Sequence, residues 1–378
     1  MRGGVRVAML INGYPPRLGG AEQQVAAMSA WLHRQGVQVT VVTRRMPGVA
    51  RFEVVDGVPV HRLPVPGPKP VASLSYTLAA MRLLRRLRPD ILHAHELFST
   101  ATSALAAKPL VRAPVVATAH RSGADGDVQR LRRKLFGRTR IAALRRQVDA
   151  FVCISREIEA ELAGIGIAPA RCHHIPNAVD TEHFKPVPDG GKPELRARLG
   201  LPDQLTAIFT GRLAPEKRVE QLLAIWPAVR AKCPEARLLI LGSGPQQPAL
   251  ERMAGAGVSF LGRIADVAPY LRAADVFILP SAAEGLSVAL LEAMASGLAV
   301  LVTDVGGGRD VVRPADNGWL VPPEDPPALQ AAVLRLLGDA ALRASLGSRA
   351  RQDMERAHAL PVIGGQLVAL YDRLLNGG

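Results

Sequence analysis

The sequence predicts an α/β protein made of two doubly wound parallel-sheet domains facing across a cleft. Three observations carry that expectation. The chain has 378 residues, more than one hydrophobic core ordinarily holds. Short apolar runs alternate with stretches of helical periodicity along its length. The alternation breaks once, at the Pro/Gly-rich "KPVPDGGKP" of residues 185–193, and then restarts.

The elements follow in order. "VRVAMLI" reads as a strand, "NGYPPRLGG" as a loop, and "AEQQVAAMSAWLHRQG" as a helix stopped by Gly36. "VQVTVVT", "DILHAH", "PVVATAH" and "AFVCIS" read as further strands, separated by helix-length stretches. After the break, "LTAIFT", "ARLLILG", "VSFLG", "ADVFILP" and "AVLVTDV" read as strands, with "VEQLLAIWPAVRAKC" and "SVALLEAMASG" as helices. Short runs that are apolar throughout belong to a sheet covered on both faces. The expected domains are residues 1–184 and 185–360. A closing amphipathic helix, about 361–378, is available to pack back on the first.

Composition excludes several classes. Hydrophobic content of 48% and charged content of 21% describe a folded globular chain, neither disordered nor fibrous. No window approaches the ~18–20 apolar residues of a membrane span. The apolar run at the start covers only Val5 to Ile11 and has no small-residue cleavage site after it, so a first strand is expected and not a signal peptide. Cys153, Cys172 and Cys233 lack metal or disulfide spacing, and reduced, buried thiols in a cytoplasmic protein are expected.

Charge is unevenly spread. Residues 1–180 hold 26 Lys and Arg against 12 Asp and Glu, whereas residues 181–378 hold 21 of each. The excess lies in the first half, which points to an anionic partner there. Residues 130–146, "RLRRKLFGRTRIAALRR", interleave eight cations with Leu131, Leu135, Phe136, Ile141 and Leu144, and "MRLLRRLR" at 81–88 repeats the idea. Such segments suit an anionic membrane surface, here the inner face of the plasma membrane. Nucleic acid is not expected, because no aromatic stacking platform or reading motif accompanies the charge.

Residues able to do chemistry follow strands, where ligands bind in open parallel sheets. Arg212 and Lys217 in "FTGRLAPEKR" are two cations on one loop and suit a diphosphate. On that stretch alone a solvated basic loop explains the pattern equally well. In "PSAAEGLSVALLEAMASG", Ser287 is a good N-cap. Glu284 and Gly285 then precede the helix, beside the anion site of its first turn. Glu292 lies two turns on, roughly 80° further round and ~12 Å along the axis. The two carboxylates are too far apart for a close acid/base pair and suit two hydroxyl-bearing parts of one extended ligand. "DGD" at 125–127 reads as a turn, and His93 and His95 as structural, since no third metal ligand lies nearby.

Glu284 and Glu292 resemble the E-x7-E motif of glycosyltransferase family 4, retaining enzymes of the GT-B fold. "PPRLGGAEQQV", "IPNAVDTEHFKP", "GRLAPEKR", "FLGRI" and "NGWLVPPEDP" resemble other family motifs, in the same order over nearly the whole chain. The resemblance implies an acceptor-binding first domain and a donor-binding second domain, both Rossmann-like. It implies that Arg212 and Lys217 bind the donor diphosphate. Glu284 would hold hydroxyls of the transferred sugar, helped by backbone amides of Gly285, Leu286, Ser287 and Val288, and Glu292 would hold the ribose. Gly19 and Gly20 would let the first loop approach donor and acceptor, and the backbone of Arg263 and Ile264 would face the base. His120 would stand near the reacting carbon, so His120, Glu284, Arg212 and Lys217 form the expected catalytic group. Arg309 and Asp310 depart from the family pattern, and the role of Asp310 stays open.

The activity expected from this resemblance is transfer from a UDP- or GDP-sugar to a lipid-linked or saccharide acceptor, without metal or other cofactor. The alternatives are a soluble glycosylated product, or a non-catalytic nucleotide-sugar-binding subunit.

Overall fold

The computed structural model describes residues 4–16, 19–134, 136–188 and 190–377. Arg17 and Leu18 of the first glycine loop, Leu135 of the basic segment and Asp189 of the Pro/Gly cluster lie outside the described residues, as does the side chain of Lys69. The chain divides into two compact units. One comprises Met1–Ala178 and Leu360–Gly378, and the other Val179–Ala359. The Pro/Gly cluster at 185–193 therefore falls within the second unit's range, and the division comes earlier than the composition break.

The first unit holds strands β1 (Arg6–Leu10), β2 (Gln38–Arg44), β3 (Phe52–Val55), β4 (Val58–Leu63), β5 (Ile91–His95), β6 (Val115–Ala119), β7 (Ala150–Cys153) and β8 (Cys172–His174). Their order is β3-β4-β2-β1-β5-β6-β7-β8, and every pairing is parallel except β3 with β4. Every residue of β5, β6 and β7 is buried, as apolar strands covered on both faces must be. The β3–β4 hairpin was not among the expected strands. It turns on Asp56 and Gly57, both at positive φ (50° and 82°), the backbone that an Asp-Gly hairpin turn requires.

The second unit holds β9 (Thr206–Thr210), β10 (Arg237–Leu241), β11 (Val258–Gly262), β12 (Val276–Leu279), β13 (Ala299–Thr303) and β14 (Trp319–Val321). The order β11-β10-β9-β12-β13-β14 is parallel throughout. In each unit the strand order reverses once, between β1 and β5 and between β9 and β12. Loops diverge beyond the carboxyl ends of those strands and leave a crevice there.

Two sequence readings need correction. Residues 130–146 are not one amphipathic surface: helices Asp127–Arg132 and Gly137–Gln147 are separated at Phe136, which takes φ 62°. Leu131 and Leu144 face the core, so only Phe136, 68% exposed, is an outward large apolar group among the described residues of that segment. Of the three free cysteines only Cys153 is fully buried, and Cys172 and Cys233 are half-buried.

The closing helix, Leu360–Leu375, buries Ile363, Leu367, Leu370 and Tyr371 in the first unit. A Cβ on Gly364 would lie 2.3 Å from the Trp31 ring. Alanine is intrinsically better than glycine in a helix by about 1 kcal/mol. Forcing a methyl into an aromatic ring costs about 1–3 kcal/mol, so the clash wins. Gly364→Ala is expected to lower the urea midpoint of the full chain, and an unchanged or raised midpoint would contradict this packing.

Candidate active site

In the second unit, Lys217 and Glu284 come together across the switch point. Lys217 follows β9 in a short 3-10 turn, Pro215–Lys217, and Glu284 follows β12. The Lys217 ammonium donates to Glu284 Oε1, which also accepts from Ser281 Oγ at 2.6 Å. Both charged side chains are largely buried, 17% and 13% exposed, so their attraction is little screened by solvent. Arg212 lies on the same loop, exposed, and no described residue forms an ion pair with it. The third wall is the loop after β13. Gly306 takes φ 53°, and a Cβ there would sit 1.9 Å from the Glu284 carbonyl oxygen. Only glycine lets the two loops approach so closely.

Ser287 caps the helix Val288–Ala295 as expected, its side chain accepting from Leu290 N at 3.3 Å. The first-turn amides beyond the cap lack intrahelical partners and face the start of the helix. Gly285, Leu286 and Ser287 are buried and Val288 half-buried. Glu292 lies in the second turn, 8% exposed. Burial, and then the charge of Asp266, push its carboxyl up to about 8. Asp266 belongs to the loop after β11 that also carries Arg263 and Ile264, so that loop and Glu292 are electrostatic neighbours. Asp310 sits in the one-turn helix Gly308–Val311 beside the glycine loop, and Arg309 pairs with Asp304 at 3.1 Å.

In the first unit the switch point lies between β1 and β5. Asn12 Nδ2 donates to Glu96 there, Ser99 Oγ donates to Asn12 Oδ1 at 2.8 Å, and Arg44 donates to Ser99 Oγ at 2.8 Å. Gly20 opens the helix Gly20–Arg34, with Gly19 as its N-cap. Gly19 has extended backbone (φ −163°), and an added Cβ would meet only the movable Glu22 carboxylate, at 2.4 Å. Among the described residues, nothing in the backbone at Gly19 itself demands glycine. His120 directly follows β6. Its Nε2 is 3.1 Å from His95 Nδ1, and its backbone N–H donates to Asp127 Oδ2 at 3.0 Å. Burial, then Arg121, push its imidazole down to about 4. Asp127, which the sequence offers only as part of a turn, opens a helix, is 1% exposed, and is pushed up to about 7 by burial and then by Glu96.

A family model described as "Glycosyltransferase Family 4" matches residues 18–183, and one described as "Glycosyl transferases group 1" matches 204–339. A phosphatidyl-myo-inositol mannosyltransferase of Mycolicibacterium smegmatis is 30% identical over 95% of this chain and 92% of its own. The chain belongs to glycosyltransferase family 4. A GDP-mannose-dependent monoacylated alpha-(1-6)-phosphatidylinositol monomannoside mannosyltransferase of Corynebacterium glutamicum is 28% identical over 96% of each chain. The fold of this glycosyltransferase, two parallel-sheet Rossmann-like units, is shared with solved GT-B structures. Sucrose-phosphate synthase from Thermosynechococcus elongatus has a TM-score of 0.84 at 24% identity, covering 99% of this chain and 100% of that one. Anabaena HepE, solved in complex with UDP-glucose, has 0.82 at 19% identity, covering 97% and 99%.

Sequence reasoning about this transferase missed Ser281, Gly306, Asn12, Glu96 and Asp127 as members of the two constellations. Ser281 had a legible signal, three residues before Glu284 in the same post-strand loop. Asp127 is only seven residues from His120, but its burial was not legible, and Gly306, Asn12 and Glu96 are recruited by loops distant in sequence.

Proposed function

We propose that this glycosyltransferase moves a hexose, with retention of configuration and without a metal ion, from a nucleoside-diphosphate sugar to an anionic lipid-linked acceptor in cell-envelope assembly. Arg212, Lys217 and the helix amides after Gly285 neutralise the leaving diphosphate. Glu284 holds hydroxyls of the transferred sugar, Glu292 holds those of the ribose, and the backbone at Arg263 and Ile264 faces the base. Gly19 and Gly20 give the phosphate and acceptor room, and His120 stands beside the reacting carbon. The acceptor hydroxyl oxygen bonds to the anomeric carbon on the face that the diphosphate leaves. The carbon–oxygen bond to the diphosphate breaks, and the hydroxyl proton passes to a departing phosphate oxygen.

One observation carries the acceptor assignment. Lys134 and Arg130 both lie over the Phe98 ring, 4.3 and 5.0 Å from its centroid. Burial, then Arg130 and Arg140, lower the Lys134 ammonium pKa, so positive charge is crowded there. Arg44, bonded to Ser99, adds a further cation beside Phe98. An anion relieves that repulsion, and a lipid phosphate has the required charge. The names of the mannosyltransferase relatives, with phosphatidylinositol acceptors, support the same reading.

A membrane contact is part of the proposal, although its surface differs from the one the basic segment offers. On helix Lys69–Leu87, Val71, Leu74 and Leu78 are 51%, 61% and 44% exposed at i, i+3 and i+7 spacing. That helix follows β4, so its amino-terminal half stands at the carboxyl edge of the sheet, the ligand side. Among the described residues, no helix is long and apolar enough to cross a membrane.

The test incubates the protein with GDP-mannose or UDP-glucose and vesicles containing phosphatidylinositol, or phosphatidylcholine alone. Co-sedimentation with the anionic vesicles is expected at low salt and should weaken as salt is raised. Labelled sugar should enter the lipid fraction. Transfer only to water-soluble sugars, with no vesicle binding, would sink the lipid reading.

A further inference from the structure

The first unit contains a column of three stacked imidazoles, of which only His120 is accounted for above. His93 and His95 lie on the same side of β5, their ring centroids 4.3 Å apart and their planes 26° apart. His95 and His120 follow at 5.3 Å and 28°. His93 is closed at both nitrogens by hydroxyls, Tyr371 at 2.6 Å from Nδ1 and Thr118 at 2.7 Å from Nε2. Its ring stacks on that of His95.

The contacts of His95 determine where its proton sits. Its Nε2 lies 3.5 Å from Met9 Sδ. A thioether sulfur accepts hydrogen bonds and cannot donate, so this contact is favourable only when Nε2 carries a proton. Burial, then His93 and His120, hold His95 far below the usual histidine range, so it is neutral and has one ring proton. Its Nδ1 is then a bare acceptor. The partner at 3.1 Å, His120 Nε2, must donate. His120 is neutral too, held near 4, and so its Nδ1 carries a lone pair. The opposite arrangement would set a bare His95 Nε2 against the sulfur, lone pair against lone pair.

We propose that His95, oriented by Met9, is a positioning residue that locks His120 in its Nε2–H tautomer, so that Nδ1 is presented as an acceptor to a sugar hydroxyl. This rests on the placement of His120 beside the reacting carbon. It assigns His120 a definite chemical role: it takes a hydrogen bond from a hydroxyl, and it neither protonates the diphosphate nor adds charge to the site. The tautomer of a histidine is set by the bond its other nitrogen makes, and here that bond comes from a second imidazole fixed by a thioether.

The experiment labels the histidines of the full chain with 15N and records long-range nitrogen–proton correlations, with His120 assigned by the signal lost in His120→Gln. The expected spectrum shows His120 protonated on Nε2 alone. His95→Leu removes the acceptor and should give averaged shifts from both tautomers. His95→Asn, whose Oδ1 can replace Nδ1, should restore the single tautomer if Leu disturbs the fold. Turnover with GDP-mannose or UDP-glucose, whichever raises the melting temperature, should fall about ten- to hundredfold in His95→Leu and recover in His95→Asn. A wild-type His120 protonated on Nδ1, or a tautomer unchanged in His95→Leu, overturns the lock. A shifted tautomer with unchanged turnover overturns the role given to His120 instead, so the two failures are distinguishable.

Discussion

Replacing Lys217 with alanine is expected to slow sugar transfer by about 10²–10³-fold, the usual cost of removing one charge-stabilising donor from a transition state. Lys217 is only 17% exposed and sits in the loop beyond β9, where the proposed function puts the leaving diphosphate. Its present partner, Glu284, also accepts from Ser281, so the carboxylate keeps one donor when the lysine is removed. The variant should therefore remain folded, with an unchanged far-UV circular dichroism spectrum. Glu284→Ala is expected to lose a comparable factor by a different route, through misplacement of the sugar. Because the two side chains share one contact, the double variant should lose less than the product of the single losses. Single-turnover rates with a radiolabelled nucleotide sugar measure all three. A Lys217→Ala rate equal to wild type would remove this site from consideration.

Donor affinity is expected to rise with pH, by up to tenfold per unit, below the titration of Glu292. In the ligand-free protein that carboxyl is pushed up to about 8, first by burial and then by Asp266, so it is mostly protonated at pH 7. Two ribose hydroxyls donating to it favour the ionised form and lower its pKa. Binding must then release a proton wherever pH lies between the bound and free values, and affinity rises with pH until about 8. A nucleotide sugar is the right ligand, because its diester diphosphate does not titrate in this range. Calorimetry in buffers of different ionisation enthalpy should show the proton release, and Glu292→Gln should abolish both it and the slope. A flat affinity profile in wild type would place the ribose elsewhere.

The same shift has a consequence for stability. A carboxyl whose folded pKa lies above its unfolded value binds more protons in the folded state. Stability from Glu292 therefore falls as pH rises from about 4.5 to about 8 and is level beyond. Asp127 acts in the same direction up to about 7. His93 and His120, held near 3 and 4, act oppositely below the ordinary histidine range. The difference between wild type and Glu292→Gln isolates the first contribution.

Some of this molecule was legible because its signals are local. The runs "VVATA" and "ILHAH" are β6 and β5, buried at every residue, as unbroken apolar strands should be. Ser287 was legible as a cap because capping involves residues three apart, and it caps Leu290 N. The β3–β4 hairpin had a signal too, Asp56-Gly57 before the alternating "VPVHRL", although that alternation is unlike the unbroken runs of its neighbours. The basic segment was misleading. Cation counts cannot show that Leu131 and Leu144 turn inward on two separate short helices, leaving the exposed apolar stripe to Val71, Leu74 and Leu78 on another helix.

By itself, the sequence determined the alternation of strand and helix, the two-unit organisation and the residue types after each strand, because these depend on near neighbours and on burial repeating along the chain. Tertiary structure alone decided which of those residues meet and in what protonation state. Ser281 joins Lys217 on Glu284, His95 lies between Met9 and His120, and burial and then Asp266 push the Glu292 carboxyl up. The physical reason is that burial and charge act through space. The groups that shift a proton here come from loops and strands tens of residues away, and within each unit the sheet order brings them to one edge of its own sheet.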